Sequence, residues 1–561
     1  MIPIPSLNSN KLLIVLLVML SFACNQEKKS KEAEPVVLWT PYNDSVEVTA
    51  NAEHEKAKMR YTFIQSKVLD KNEVFQPLYQ EVSQFSEETY ELMKPLVLEQ
   101  NIPTLQNHIA TGKFTYEDLT LFYLYRIYKY ELPNETTLNS IIALNPKVLE
   151  EARELDVNSE GHHPVYGMPI LLKDNIGALD MNTTAGSIAF MENKTDDAFI
   201  VRRLKEKGAL ILGKANLSEW ANFLCSCPNG QSAVGGQTLN PYGRRVFDTG
   251  GSSAGSGTTT AANYAVAAIG TETSGSILSP SGQSSLVGMK PTIGLLSRTG
   301  IVPISSTLDT PGPMTKNVID NAIVFDAMRG RDVKDSKSIP SDWPENWYQS
   351  ISTSFKNKRL GVFKKYVEND SIYKETIVKM KSAGVSIVSF EPPEVDFEGF
   401  LSILNIDMKY DLPDYIVNEV KNKADIKVSS MQDLVDYNRA DSLTRIPYGQ
   451  IRFEGILNDS TTLDELQKIK QRLKNNGRRY FDKAMDEHGL DAVLSINNYD
   501  AGAAAVAEYP ALTVPMGYKE TGEPVNLTFI AKQYEEAKLY EIGAAFEALT
   551  HARKIPEGYE D

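Results

Sequence analysis

The stretch Thr249-Gly-Gly-Ser-Ser-Ala-Gly-Ser-Gly257 is followed by mostly small residues over 258–265, then by Val266-Ala-Ala-Ile269 and Gly270-Thr-Glu-Thr-Ser-Gly-Ser276. Read physically, a glycine-rich loop opens a helix, the helix leads back to a short apolar strand, and the strand ends in a second Gly/Ser loop. Both loops therefore finish on one edge of a sheet, the carboxyl edge at which sites assemble in α/β proteins. Lys173 follows the apolar run Pro169-Ile-Leu-Leu172 and is expected on that same edge. Small side chains along the connecting helix let it lie close to the sheet.

The alternation continues outward. Residues 197–207 predict a helix stopped by Gly208, and Ala209-Leu-Ile-Leu212 predicts the next strand. Residues 359–363, 371–383 and 385–390 read as strand, helix and strand, and 397–487 as mainly helical. Strands return at Ala492-Val-Leu-Ser495 and Ala511-Leu-Thr-Val514, before a last helix over 535–549. Upstream, residues 55–156 are helical in pattern. Thr115-Tyr-Glu-Asp118 forms a capping box, and Asn145-Pro146 caps a helix over 147–155. The fold class is α/β. A helical N-terminal region (55–156) precedes a core (157–330), a variable segment (331–490) and the C-terminal part of the core (491–561).

Lys+Arg number 58 against 73 Asp+Glu, a formal charge of −15, which argues against a nucleic-acid partner because nothing would neutralise a phosphate backbone. Three Cys in 561 residues make no disulfide framework. With six His, little material exists for a His-rich metal site, and neither metal nor organic cofactor is expected. At the N-terminus, Lys11 precedes an apolar run over 12–20 and then Ser21-Phe-Ala-Cys24, the layout of a signal peptide. The run is shorter than the roughly 20 residues that span a membrane. A small residue followed at once by Cys resembles a bacterial lipoprotein signal. It implies that residues 1–23 are removed, that Cys24 carries the lipid, that 24–54 form a polar tether, and that the protein is exported and anchored to a membrane; the alternative is plain secretion with Cys24 discarded.

Further blocks accompany the Gly/Ser loops: Gly167-Met-Pro-Ile-Leu-Leu-Lys-Asp-Asn-Ile176, Gly213-Lys-Ala-Asn-Leu-Ser-Glu-Trp-Ala-Asn-Phe223, Gly235-Gly-Gln-Thr-Leu-Asn-Pro-Tyr242, Gly288-Met-Lys-Pro-Thr-Ile-Gly294, Leu308-Asp-Thr-Pro-Gly-Pro-Met314 and Tyr509-Pro-Ala-Leu-Thr-Val-Pro515. In this order they resemble the amidase signature family of Ser-cisSer-Lys amide hydrolases. The resemblance implies an α/β/α sandwich around a central mixed β-sheet, and a small-molecule or peptide amide as substrate. It makes Ser276 the nucleophile, Ser252 the bridging serine after a cis Gly251–Ser252 bond, and Lys173 the base. Backbone N–H groups of Thr273, Ser274, Gly275 and Ser276 would form the oxyanion hole. The chemistry is intelligible alone: a hydroxyl needs a base, burial can lower a lysine's pKa enough to make one, and a serine between them both donates and accepts. Ser274 and Leu278 depart from the Gly and Arg frequent in the family, which bears on substrate contacts and leaves the triad intact. The flanking residues look closer to broad amidases and peptide-amide hydrolases than to the transamidation branch.

Other readings stand beside it. Gly251-Ser-Ser-Ala-Gly255 also fits the nucleophile elbow of an α/β-hydrolase esterase, with Ser253 attacking and His488 or His551 as base, although the preceding residues 242–248 are polar and turn-rich rather than strand-like. A catalytically idle binding protein on the same scaffold is a further alternative, against which the intact Lys173, Ser252 and Ser276 argue. A Walker loop fails because no Gly-Lys-Ser/Thr follows. Lys214 rivals Lys173, since it too follows a buried strand. Cys225 and Cys227 read as free thiols, a bridge across one residue being strained. His162, His163 and Asp309 read as turn and packing residues.

Overall fold

A computed structural model describes residues 36–158, 163–340, 343, 344 and 346–561, together with residues 1 and 3. The apolar run 12–20 read as part of a signal peptide, Cys24 and His162 lie outside the described residues. The fold below is that of residues 38–561, which form one unit.

Apolar runs too short for helices make the strands of an 11-stranded mixed sheet. In chain order these are β1 (Ile141–Leu144), β2 (Pro169–Lys173), β3 (Leu210–Ala215), β6 (Ala267–Glu272), β7 (Val287–Lys290), β8 (Thr310–Thr315), β9 (Arg359–Phe363), β10 (Ser386–Phe390), β11 (Ala492–Ile496), β12 (Ala511–Tyr518) and β13 (Pro524–Ile530); β4 (Gln231–Ser232) and β5 (Gly236–Gln237) pair separately. The spatial order is β1-β3-β2-β6-β8-β7-β12-β13-β11-β9-β10. The strands β3, β2 and β6 run parallel, so Ala215, Lys173 and Glu272 finish on one edge. The central strands are buried throughout, as parallel strands covered on both faces must be. Helices such as Ala254–Ala261, Val318–Met328 and Glu536–Thr550 pack against the sheet.

Most expected elements are present within a few residues. The capping box at Thr115 opens the helix Tyr116–Glu131 with both reciprocal bonds made. The helix expected over 147–155 is Val148–Val157, with Lys147 at its N-cap, while the Asn145 side chain accepts from Lys147 N. In the main sheet β1, β7, β8 and β13 escape the sequence reading, as do the short β4 and β5. The strand β8 carries Pro311 and Pro313 yet sits between β6 and β7. Because these prolines alternate, both missing N–H groups fall on one side of the strand, and the other side still pairs.

The folded unit begins earlier than the reading of 24–54 implies. Within the stretch 24–54 read as a tether, residues from Leu38 onward belong to the folded unit: Leu38 and Trp39 backbone N–H groups donate to Asn72 Oδ1 and Trp39 Nε1 donates to Asn134 Oδ1. The variable segment is part of the same folded unit. Its β9 and β10 extend the main sheet, and its helices Phe400–Asn418, Met431–Ala440 and Ile451–Asn458 bury Leu412, Leu434 and Phe453 against Phe190 and Trp220 of the core.

Candidate active site

The site is built where β2 and β6 end. Leu172 is in register with Ile269, which brings Lys173 level with the last residues of β6. The loop 249–253 enters the helix Ala254–Ala261 beside them, and Gly255 makes the approach possible. A Cβ there would lie 2.2 Å from the Asn216 carbonyl oxygen, which instead accepts the Gly255 N–H at 2.9 Å. The Gly251–Ser252 peptide is cis, as the family resemblance implies.

Lys173 and Ser252 are both completely buried. Lys173 Nζ lies 2.7 Å from Ser252 Oγ, 2.7 Å from Thr271 Oγ1 and 3.1 Å from the Thr271 carbonyl oxygen. A neutral amine has two N–H donors and one lone pair, so it can donate to both Thr271 oxygens while accepting the Ser252 O–H. Asn175 Nδ2 donates to the same Thr271 hydroxyl at 3.0 Å and steadies it. Burial pushes the Lys173 pKa down to about 7, against the opposing pull of Asp309 and Glu272.

Ser276 is partly exposed and sits in the turn that follows β6. Its carbonyl accepts the Ser253 N–H at 3.2 Å, tying the two Gly/Ser loops together. That turn wraps around one buried carboxylate. Glu272 Oε2 accepts the backbone N–H groups of Ile277 at 2.7 Å and Leu278 at 3.0 Å, and the Gly275 backbone faces it as well. Gly275 adopts φ +96°, a left-handed conformation that glycine reaches without steric cost. The N–H groups of Thr273, Ser274 and Ser276 meet no protein acceptor among the described residues. Of the four oxyanion donors expected, Gly275 is thus the one already directed at a carboxylate.

Geometry sets the rival candidates apart. Lys214 is in register with Leu172, one residue before Lys173, so the two lysines project from opposite faces of the sheet. Lys214 Nζ pairs with Asp174 Oδ1 at 3.2 Å, donates to the Ile176 carbonyl at 2.6 Å, and is equally buried. Burial lowers its pKa and raises that of Asp174, each opposed by the other's charge. Ser253 Oγ is a buried staple: it donates to the Thr271 carbonyl at 3.1 Å and accepts the Thr271 N–H at 3.2 Å. His488 is half-buried at the end of the helix Leu463–His488 and His551 is exposed, and neither is hydrogen-bonded to that hydroxyl. His163 packs against Tyr348 and lies 3.3 Å from Asp326 Oδ2, in keeping with a structural role.

Two readings need correction. Cys225 and Cys227 are joined as a disulfide, with their Cα atoms 5.1 Å apart, a separation that a bridge spans. Asp309 is no mere turn residue, since its carboxylate accepts the Thr273 hydroxyl at 2.5 Å. Sequence reasoning also passed over Glu272, Thr271 and Asn175. A carboxylate between an apolar strand and a Gly/Ser loop was the available signal for Glu272.

A buried Lys–Ser contact on an α/β/α sandwich, beside a glycine-rich turn carrying a second serine, is an arrangement suited to a hydrolase. Comparison with known proteins agrees. The amidase family model matches residues 118–501. A probable amidase of Arabidopsis thaliana is 36% identical over 441 residues, covering 75% of this chain and 85% of that relative. Among solved structures, an amidase family protein from Bacillus anthracis str. Ames superposes with a TM-score of 0.83 at 37% identity, covering 88% of this chain and 100% of that one. The native peptide amidase from Stenotrophomonas maltophilia gives 0.76 at 35% identity, covering 82% and 99%. The chain belongs to the amidase family, whose members hydrolyse C–N bonds.

Proposed function

We propose that the protein hydrolyses a linear carboxylic amide, of a small molecule or a peptide, to carboxylate and ammonia or amine through an acyl-enzyme on Ser276. The observation that carries this reading is the 2.7 Å contact between a buried Lys173 Nζ and Ser252 Oγ. Neutral Lys173 takes the Ser252 proton as Ser252 takes that of Ser276, whose Oγ attacks the amide carbon. Free N–H groups of the 273–276 turn face the developing oxyanion, each such donor being worth about 10²–10³ in rate. The proton then returns along Ser252 to the leaving nitrogen as the C–N bond breaks; water gives up its proton along the same relay as it attacks the acyl carbon, and that proton returns to Ser276 Oγ as the acid leaves. The similarity to a peptide amidase favours a peptide amide among substrates.

The base works only when deprotonated. With Lys173 lowered to about 7, kcat/KM is expected to fall as pH drops through about 7 and to be level above it. A pH–rate profile checks this. Activity that climbs only towards pH ~10, where an unperturbed lysine titrates, would contradict it.

We further infer that the protein is exported and held at a bacterial membrane by lipid on Cys24. The apolar run 12–20 after Lys11 and the Ala23-Cys24 junction support this. Expression in a bacterium fed labelled fatty acid should label the protein, and Cys24→Ser should abolish the label; equal labelling of both would refute the assignment.

A further inference from the structure

Asp309 sits in a loop between the catalytic turn and the helices of the variable segment. One oxygen, Oδ1, accepts the Thr273 hydroxyl at 2.5 Å. The other, Oδ2, accepts the N–H groups of Ile304 at 2.8 Å and Ser305 at 2.9 Å. The loop is anchored in turn, because Ser305 Oγ donates to Asp407 Oδ2 at 2.5 Å and Lys470 Nζ donates to Asp407 Oδ1 at 2.7 Å. A continuous set of hydrogen bonds thus runs from the turn bearing Ser276 to the helices Phe400–Asn418 and Leu463–His488.

We propose that Asp309 is a positioning residue for the reaction: it holds the Thr273 end of the turn that presents Ser276, and it places a carboxylate towards the Lys173 amine. This rests on the relay reading above. The charged groups facing Lys173 are Asp309 and Glu272. Glu272 is engaged by backbone N–H groups and faces Lys290. Those facing Asp309 are Arg298, itself bonded to Asp335 at 2.9 Å, and Asp411. Burial raises the Asp309 pKa, opposed by the hydrogen bonds it accepts. In its anionic form Asp309 favours the protonated amine, so its removal should let Lys173 lose its proton at lower pH.

The test is the rate at which an activated phosphonate labels Ser276, followed across pH in wild type, Asp309→Asn, Thr273→Val and Thr273→Ser. Asp309→Asn keeps the size and removes the charge; its acidic limb should move down by about one pH unit. Thr273→Val removes the hydroxyl alone and should slow labelling by about 10- to 100-fold without moving the limb, while Thr273→Ser should restore the rate. A merely structural Asp309 would lower the amount of folded protein and leave the limb in place. An unmoved limb in Asp309→Asn, or a wild-type rate in Thr273→Val, overturns the proposal, and the second still decides if Asp309→Asn does not fold. Failure of wild-type Ser276 to label overturns the relay itself and this inference with it.

Discussion

Ser276→Ala is expected to lower kcat/KM by roughly 10⁴–10⁶-fold, leaving the residual rate that oriented binding and oxyanion donors supply when a nucleophile is lost. The variant should fold, because Ser276 is partly exposed and its carbonyl, not its hydroxyl, bonds Ser253. Its Lys173–Ser252 contact is independent of the 276 side chain, so the site should still bind substrate. Ser253→Ala makes the instructive contrast. Its hydroxyl is buried and satisfies both backbone groups of Thr271, so truncation should cost about 1–3 kcal/mol of stability while the folded enzyme still turns over. Thermal unfolding and steady-state kinetics on both variants separate the two effects. A Ser253→Ala variant that is stable and dead, beside an active Ser276→Ala, would favour the esterase elbow.

Lys173→Met should lower turnover by about 10²–10⁴-fold, the usual worth of a positioned general base. Methionine fills much of the buried volume but neither accepts the Ser252 proton nor donates to Thr271. The activity that remains should lose the limb near pH 7, since the titrating group is gone. Lys214→Met is the control. It strands the buried carboxylate of Asp174, which should cost about 3–5 kcal/mol of stability, yet the relay on the other face of the sheet stays intact. Rates normalised to folded protein should therefore fall for the first variant and hold for the second. Equal losses of specific activity would mean that the two lysines share one role.

The loop–helix–strand–loop unit over 249–276 was legible because its small residues leave few alternatives to a helix packed tightly on a sheet. Lys173 and Lys214 were not separable by local pattern, since each follows a buried strand; the register between β2 and β3 decides which face each side chain takes. The strand β8 stayed hidden because its two prolines argue against a central strand until their alternation is set beside its neighbours. Asp309 looked like a turn residue because its partners, Thr273 and Ile304, are brought to it by tertiary structure rather than by one helix or strand. The same holds for Glu272, whose role follows from a turn that folds back over its carboxylate.

The most direct measurement is the mass of the intact protein after exposure to an activated phosphonate, followed by mapping of the modified peptide. One adduct per chain is expected, on Ser276, and it should form slowly or not at all in Lys173→Met. A tag on Ser253, or none on any serine, would contradict the acyl-enzyme account.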